Sequence, residues 1–400
     1  MNRRSAVLAT AVFLVLIYGK LLNGTHHFFS VLAIMGAVKI YMRKITPSAT
    51  VVAGAFLGTA SFFTQTHGGA ALLAFAVFLI WRQSREKQPW FHLIRKESLL
   101  FIGYSAALLM LSAPLIAALG WKQLWYSQVT YTRQYVVPMR PPLLGLPGPF
   151  TLRGALKLSQ AVFVYLFLPT VYLLTLWRCW RERDAPTFPW ERITLLSLVG
   201  FFLMVEVSFS LNWLRLYAVS LAGVILLIWC IDQARKIRPY AVAAMWIGIS
   251  CLAVWQTIAA YAYQPRKTHL PAGEVAVSPL SYEKLHWMME HTRPEQFVFQ
   301  AAWPGIYLSL QLRNPVFVDQ ILPGDGTRQE EVALTIRQLE EKQVPYVLWA
   351  ARLGSMDNLA VRPNDHVVPL RAYLHSHYSE EHTFPDGDQV WQRNESTSSH

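Results

Sequence analysis

Charge is scarce in this chain of 400 residues. Only 15% of its side chains are charged, against 53% hydrophobic. A soluble globular protein usually carries about 25% charged residues, so a disordered chain is excluded and the balance argues against an ordinary soluble enzyme. Cysteine is nearly absent: the three are Cys179, Cys230 and Cys251, and nothing after residue 251 can form a disulfide. No Gly-x-Gly-x-x-Gly fingerprint occurs, which removes the usual dinucleotide cradle. Acidic residues are few where the chain is most apolar. Residues 1–265 hold 24 Lys/Arg and 7 Asp/Glu, a net of 24 − 7 = +17, while residues 266–400 hold 12 and 17, a net of 12 − 17 = −5. That asymmetry predicts two environments, a basic apolar region followed by a balanced, more acidic one. The basic charge lies between apolar runs rather than in a continuous patch, so no nucleic-acid partner is expected.

What is abundant is apolar and aromatic. Fifteen Trp, 17 Tyr and 21 Phe suit a protein that anchors itself at a membrane interface. A helix crossing a bilayer needs about 20 mostly apolar residues. On that measure the runs 5–22, 27–42, 49–65, 68–82, 98–118, 157–177, 193–211, 214–232 and 239–262 predict a multi-pass α-helical membrane protein of about nine spans, followed by a small α/β soluble domain. The boundaries are 1–265 for the polytopic region, with a long outer loop at 119–156, then 266–393 for the exported domain and 394–400 for a disordered tail. With alternating spans, 17 basic residues, including Arg3, Arg4, Arg43, Arg82, Arg178 and Arg238, fall on one side and 24 − 17 = 7 on the other. That bias predicts a cytoplasmic N-terminus and a periplasmic or extracellular C-terminal domain, in a bacterial plasma membrane. No small-x-small cleavage site precedes Asn23, so the first run reads as an uncleaved span.

In the second region, Tyr282–His291, Thr327–Lys342 and Val367–His377 predict helices, and 297–301 and 345–350 predict buried strands. A short helix is expected after Pro304, and an Asp-Gly turn inside 384–391 predicts a hairpin. Strand–helix–strand order points to an α/β sandwich of Rossmann-like type.

Several polar residues stand out against this apolar background. Arg215, in Ser210-Leu-Asn-Trp-Leu-Arg-Leu-Tyr, puts an obligate cation at a run's end, where a guanidinium suits a lipid phosphate or snorkels without a ligand. His26, His27 and His67 sit at the ends of neighbouring apolar runs. No Cys or carboxylate accompanies them, so no metal is expected and substrate hydrogen bonding competes with a plain interface role. Glu206 lies within a run; a continuous helix would set it about 13.5 Å from Arg215 along the axis, and the two could pair only if the chain turns between them. The 119–156 loop interleaves Trp121, Trp125, Tyr131 and Tyr135 with Lys122, Arg133 and Arg140. It reads as an interface-anchored connector or as a lid that offers Arg133 or Arg140 to a phosphate.

Three segments carry a family resemblance: Gly24-Thr-His-His-Phe-Phe-Ser, Ala53-Gly-Ala-Phe-Leu-Gly-Thr-Ala-Ser-Phe-Phe-Thr-Gln-Thr-His-Gly and Leu214-Arg-Leu-Tyr-Ala-Val-Ser-Leu-Ala. With the aromatic loop and the trailing domain, they resemble the GT-C membrane glycosyltransferases, which include protein O-mannosyltransferases and aminoarabinose transferases. The resemblance implies transfer of a sugar from a polyprenyl-phosphate donor at the outer face of the membrane. It matches Arg215 to the residue that holds the donor phosphate and sets His26 and His27 near the donor; Arg133, Tyr135, Arg140 and His67 complete the expected substrate-binding set. No cofactor is implied, and the partners are membrane lipids and the lipid-linked sugar. The family's catalytic acid sits in its first outer loop, where this chain has Asn23-Gly-Thr-His without a carboxylate. The resemblance therefore covers the later part of the family pattern, with the acid supplied by a missing N-terminal part, on this chain or a partner, or not at all. In the last case the chain is a non-catalytic binder or translocator of a lipid-linked glycan.

Overall fold

The computed structural model describes residues 3–17, 25–86, 89–130, 162, 166–182, 189–208, 213–234, 238–302, 305–318, 320–324, 326–354 and 365–394. The greater part of the expected lid (131–156), with Arg133, Tyr135 and Arg140, lies outside them, as do residues 395–400 of the expected tail. The chain divides into two compact units, residues 1–256 and 257–400, so the division falls nine residues before the boundary read from composition.

Unit 1 is built from helices. α1 (Arg3–Val12) continues through a π-helical turn to Ile17, and α2 spans His26–Arg43. α3 (Pro47–Phe63) starts sharply because Pro47 presets the first turn and the Thr46 hydroxyl accepts the Ala49 N–H. α4 (Gln65–Glu86) follows after a single residue, Thr64. α5 (Trp90–Leu119) and the short α6 (Trp121–Trp125) meet at Gly120, whose φ of +80° suits glycine. α7 (Leu168–Arg181), α8 (Trp190–Ser208), α9 (Trp213–Val219), α10 (Leu221–Gln233) and α11 (Arg238–Tyr263) complete the set.

These helices do not make nine membrane spans. Among the described residues, two are long and apolar enough to cross a bilayer, α5 with 30 residues and mean hydropathy 2.1, and α11 with 26 and 1.7. At 1.5 Å per residue these reach about 45 and 39 Å. The other runs were apolar in sequence, but the helices they form are short (α3 has 17 residues, α10 has 13) or carry polar and charged residues at their ends. In α2 these are His26, His27 and Arg43, in α4 Gln65, His67, Arg82 and Arg85, and in α8 Glu191, Arg192 and Glu206. The sidedness expected for the N-terminus and the second domain rested on alternating nine spans, and two candidate helices do not test it.

The packing of unit 1 relies on small residues. α3 lies so close to α5 that a β-carbon added at Gly54 would sit 2.1 Å from the Leu100 carbonyl oxygen, and one at Gly58 2.2 Å from that of Tyr104. Gly103 meets Val51 in the same way from the other helix. The Gly54-x-x-x-Gly58 spacing is the one that lets helix backbones touch. Buried hydroxyls then pair across the seams: Ser61 with Tyr104 at 2.7 Å and Thr175 with Ser197 at 2.7 Å.

Unit 2 opens with a hairpin, β1 (Arg266–Leu270) against β2 (Gly273–Val277). α12 (Pro279–His291) is capped by the Ser278 hydroxyl, and β3 (Val298–Gln300) and α13 (Ile306–Leu310) follow. α14 (Gln329–Glu341) buries Val332, Thr335 and Leu339 and crosses to β4 (Tyr346–Trp349), parallel to β3. α15 (Val368–His377) runs straight into β5 (Tyr378–Thr383), which turns at Gly387 into β6 (Gln389–Arg393). The sheet order is β3-β4-β6-β5. Only β3 and β4 are parallel, so the sheet is mixed, not the parallel Rossmann type expected, because the chain returns to β4 as a hairpin. Phe299, Leu339, Val347, Trp349, Leu370, Leu374 and Trp391 form its core.

Candidate functional site

Four helices deliver polar side chains to one place in unit 1. The first turn of α2 supplies His26 and His27, the start of α4 supplies His67, the last turn of α8 supplies Glu206, and α9 supplies Arg215. The α3–α4 corner is tight because Gly68 lies against Ser61; a β-carbon there would be 2.1 Å from the Ser61 hydroxyl oxygen. That corner pushes His67 inward, where it is 0% exposed, and His27 is 4% exposed. The His26 and His27 rings are 4.0 Å apart between centroids, and His27 and His67 are 5.2 Å apart. His67 Nε2 lies 3.3 Å from Glu206 Oε2, with the Thr66 hydroxyl beside the same carboxyl.

Arg215 acts electrostatically on His26, His27, His67 and Glu206 alike. Sequence spacing sets Arg215 away from Glu206 on a continuous helix. α8 is described as far as Ser208 and α9 from Trp213, and Arg215 lies near enough to these groups for its charge to act on all four. Four of the seven residues singled out from sequence, His26, His27, His67 and Arg215, therefore converge, and Glu206 joins them. Arg133, Tyr135 and Arg140 lie outside the described residues.

The cluster is under-satisfied. Among the described residues, His27 Nδ1, His67 Nδ1 and Glu206 Oε2 are buried without a well-formed hydrogen bond. A buried polar group left unpaired costs about 1–3 kcal/mol, so polar atoms of a ligand or water have open partners here. No group of three or more His, Cys, Asp or Glu among the described residues is arranged to hold a metal ion.

An apolar pocket of about 270 Å³ adjoins the same corner. Ser61 and Gln65 at the corner line it, together with Leu109 and Ile116 of α5 and Trp121 and Trp125 of α6. The two indoles sit 5.9 Å apart between centroids. Trp121, Trp125 and Gln128 all line this pocket. Two partners escaped the sequence: Tyr104, which fixes Ser61, and the pairing of Glu206 with His67. A lone carboxylate inside an apolar run was the one signal for the latter.

No protein-family profile matches the sequence, and no curated protein matches it.

Proposed function

We propose that this chain is a membrane glycosyltransferase, or a part of one, that moves a sugar from a polyprenyl-phosphate donor to an acceptor hydroxyl. The observation that carries the reading is the buried His67–Glu206 pair, on which the charge of Arg215 acts. In the proposed reaction Arg215 holds the donor phosphate, a fixed cation where the leaving group gains charge. The acceptor oxygen attacks the anomeric carbon as the bond to the phosphate oxygen breaks. The hydroxyl proton passes to the His67–Glu206 pair, and polyprenyl phosphate departs. A general base of this kind contributes typically 10²–10⁴-fold to rate. Glu206 thus stands in for the carboxylate that the Asn23-Gly-Thr-His loop lacks.

The bilayer setting, a bacterial plasma membrane in this proposal, is supported by the flanks of α5 and α11. Large apolar side chains there face outward, Met110 at 79% and Ile94 at 64% exposure, and also Ile247, Val254 and Ile258. A soluble protein rarely leaves such contiguous surfaces uncovered.

The test is transfer of radiolabelled sugar from a polyprenyl-phosphate donor in proteoliposomes. Wild-type protein should turn over, Glu206→Gln and His67→Ala should lose at least about 100-fold in kcat, and Arg215→Gln should lower kcat as well as raise KM for the donor. Full activity of Glu206→Gln would move the base to a partner protein or another residue. Saturable donor binding by the wild type without turnover would instead make the chain a carrier of lipid-linked glycans, the reading that the acid-free first loop favours.

A further inference from the structure

A second, roomier cavity lies away from the histidine cluster. It lies in unit 1 between the start of α1 and the start of α11, encloses about 830 Å³, and is lined by Arg3, Arg4 and Arg238 together with Val7, Val242 and Trp246. Its chemistry is divided. Three guanidinium groups from segments more than 230 residues apart in sequence share one opening. The remaining wall is apolar, and two of its members are open to solvent, Val7 at 53% and Trp246 at 39% exposure.

Balancing negative charge is sparse. Asp232, at the end of α10, accepts a hydrogen bond from the Ser5 hydroxyl at 2.7 Å and lies 3.1 Å from Arg238 Nε. That triad ties α1 to the α10–α11 junction and consumes Arg238's nearest counter-charge. Among the described residues neither Arg3 nor Arg4 has a carboxylate partner. Three cations against one acid leave the cavity at 3 − 1 = +2. Like charges held around a common space repel unless an anion enters.

We propose that this cavity is a binding site for an anionic glycerophospholipid, its phosphate held by Arg3, Arg4 and Arg238 and its acyl chains laid along Val7, Val242 and Trp246. The position supports the assignment. α11 is one of the two helices able to cross a bilayer, and Arg238 is its first residue. Basic residues at the end of such a helix meet lipid headgroups, and Trp belongs at the same depth. The shape supports it too, since a free phosphate would use the guanidinium groups and ignore the apolar wall. The site shares no residue with the His67–Glu206–Arg215 cluster, so it stands whether or not sugar transfer is confirmed.

The test uses the full chain, purified in neutral detergent and stripped of lipid, with binding followed by native mass spectrometry. Dioleoyl phosphatidylglycerol should bind more tightly than dioleoyl phosphatidylcholine. The double variant Arg3→Gln/Arg4→Gln should weaken phosphatidylglycerol by roughly 30-fold, since each basic residue near an anionic headgroup contributes about 1 kcal/mol. Arg3→Lys/Arg4→Lys should retain binding within about threefold, because the charge is kept. Trp246→Ala should weaken phosphatidylglycerol while leaving inorganic phosphate unaffected. Equal affinity for phosphatidylcholine, or wild-type affinity in the glutamine variant, would overturn the proposal. Inorganic phosphate that competes phosphatidylglycerol off at equal concentration, with no effect of Trp246→Ala, would overturn the lipid assignment in favour of a free-anion site. Arg3 and Arg4 are exposed, so their substitution leaves the core of unit 1 untouched.

Discussion

The two units solve the burial problem in opposite ways. Unit 2 follows the rule for water-soluble domains. Phe299, Val347 and Trp349 are inside, and apart from the buried Arg371–Asp365 pair ion pairs lie nearer the surface, as where Lys284 lies 2.5 Å from both Asp386 and Asp388. Unit 1 places some of its most polar groups inside. His67, Ser30, Thr194 and Ser197 are fully buried, while Ile94, Phe101, Leu109 and Met110 point out of α5. The source of cohesion differs accordingly. In unit 2 it is apolar area removed from water. In the bilayer proposed for unit 1 that driving force would be lost, and helices would be held by close backbone approach and interhelical hydrogen bonds. The glycine seam of α3 and α5 and the Ser61–Tyr104 and Thr175–Ser197 pairs are those two devices.

The sharpest way to break this contrast is to add carbon to the seam. Gly54→Val should cost unit 1 more than about 3 kcal/mol, since the new side chain meets the backbone of Leu100, which cannot swing away as a side chain would. The expected outcome is loss of the monodisperse peak on size exclusion in detergent. An intact peak would mean that α3 and α5 are not held by contact. Unit 2 has the opposite vulnerability, an ion pair in its interior. Arg371 is buried, donates to the Leu353 carbonyl at 2.9 Å and pairs with Asp365. Arg371→Met strands that carboxylate and should lower the stability of unit 2 by about 3 kcal/mol, with partial recovery in Arg371→Met/Asp365→Asn. Chemical denaturation followed by tryptophan fluorescence reads both. A recovery of zero would show that Arg371 acts through packing alone.

Gly69 provides a milder control for the seam. It lies within α4, one residue from the crowded Gly68, yet a β-carbon there meets nothing within 4 Å. Gly69→Ala should therefore stabilise unit 1 by about 0.5–1 kcal/mol through helix propensity. A thermal melt that falls instead would mean that glycine is required for some reason other than space.

Legibility in the sequence also differs between the units. The helix expected at Thr327–Lys342 appears as Gln329–Glu341, because a single amphipathic face specifies both its period and its partner. The hairpin around Asp386-Gly387 was readable from turn chemistry, whereas the order of strands was not, since nothing local records that β6 inserts between β4 and β5. In unit 1 the apolar runs were plain, but a run of apolar residues does not say where its helix stops or whether its flank meets lipid or another helix. Corner residues such as Thr64 and Gly68, which packs against Ser61, decide that. Candidate site residues were legible as types out of place: histidines and an arginine in apolar surroundings. Their convergence depends on how four helices distant in sequence pack together, which carries no strong local signal.

The weakest expected effect bears on the exposed charges of unit 2, and it sharpens the contrast by showing how little they contribute. Glu340 accepts hydrogen bonds from Arg393 at 2.7 Å and from the Tyr373 hydroxyl at 2.6 Å. The Arg393 contact, then the Tyr373 one, holds its carboxyl down from 4.5 to about 2. A depressed acid stabilises the fold above its unfolded value, and that stabilisation fades as pH falls from about 4.5 towards 2. Glu340 is largely exposed, so solvent screening limits the whole effect to under about 1 kcal/mol. Glu340→Gln should lower the melting temperature of unit 2 slightly at pH 7 and by less at pH 3, where the wild type has begun to lose the same interaction. Equal losses at both values would mean that the substituted amide fails through shape rather than charge. A loss at pH 7 as large as that of Arg371→Met would overturn the division between a cohesive interior and a nearly neutral charged surface.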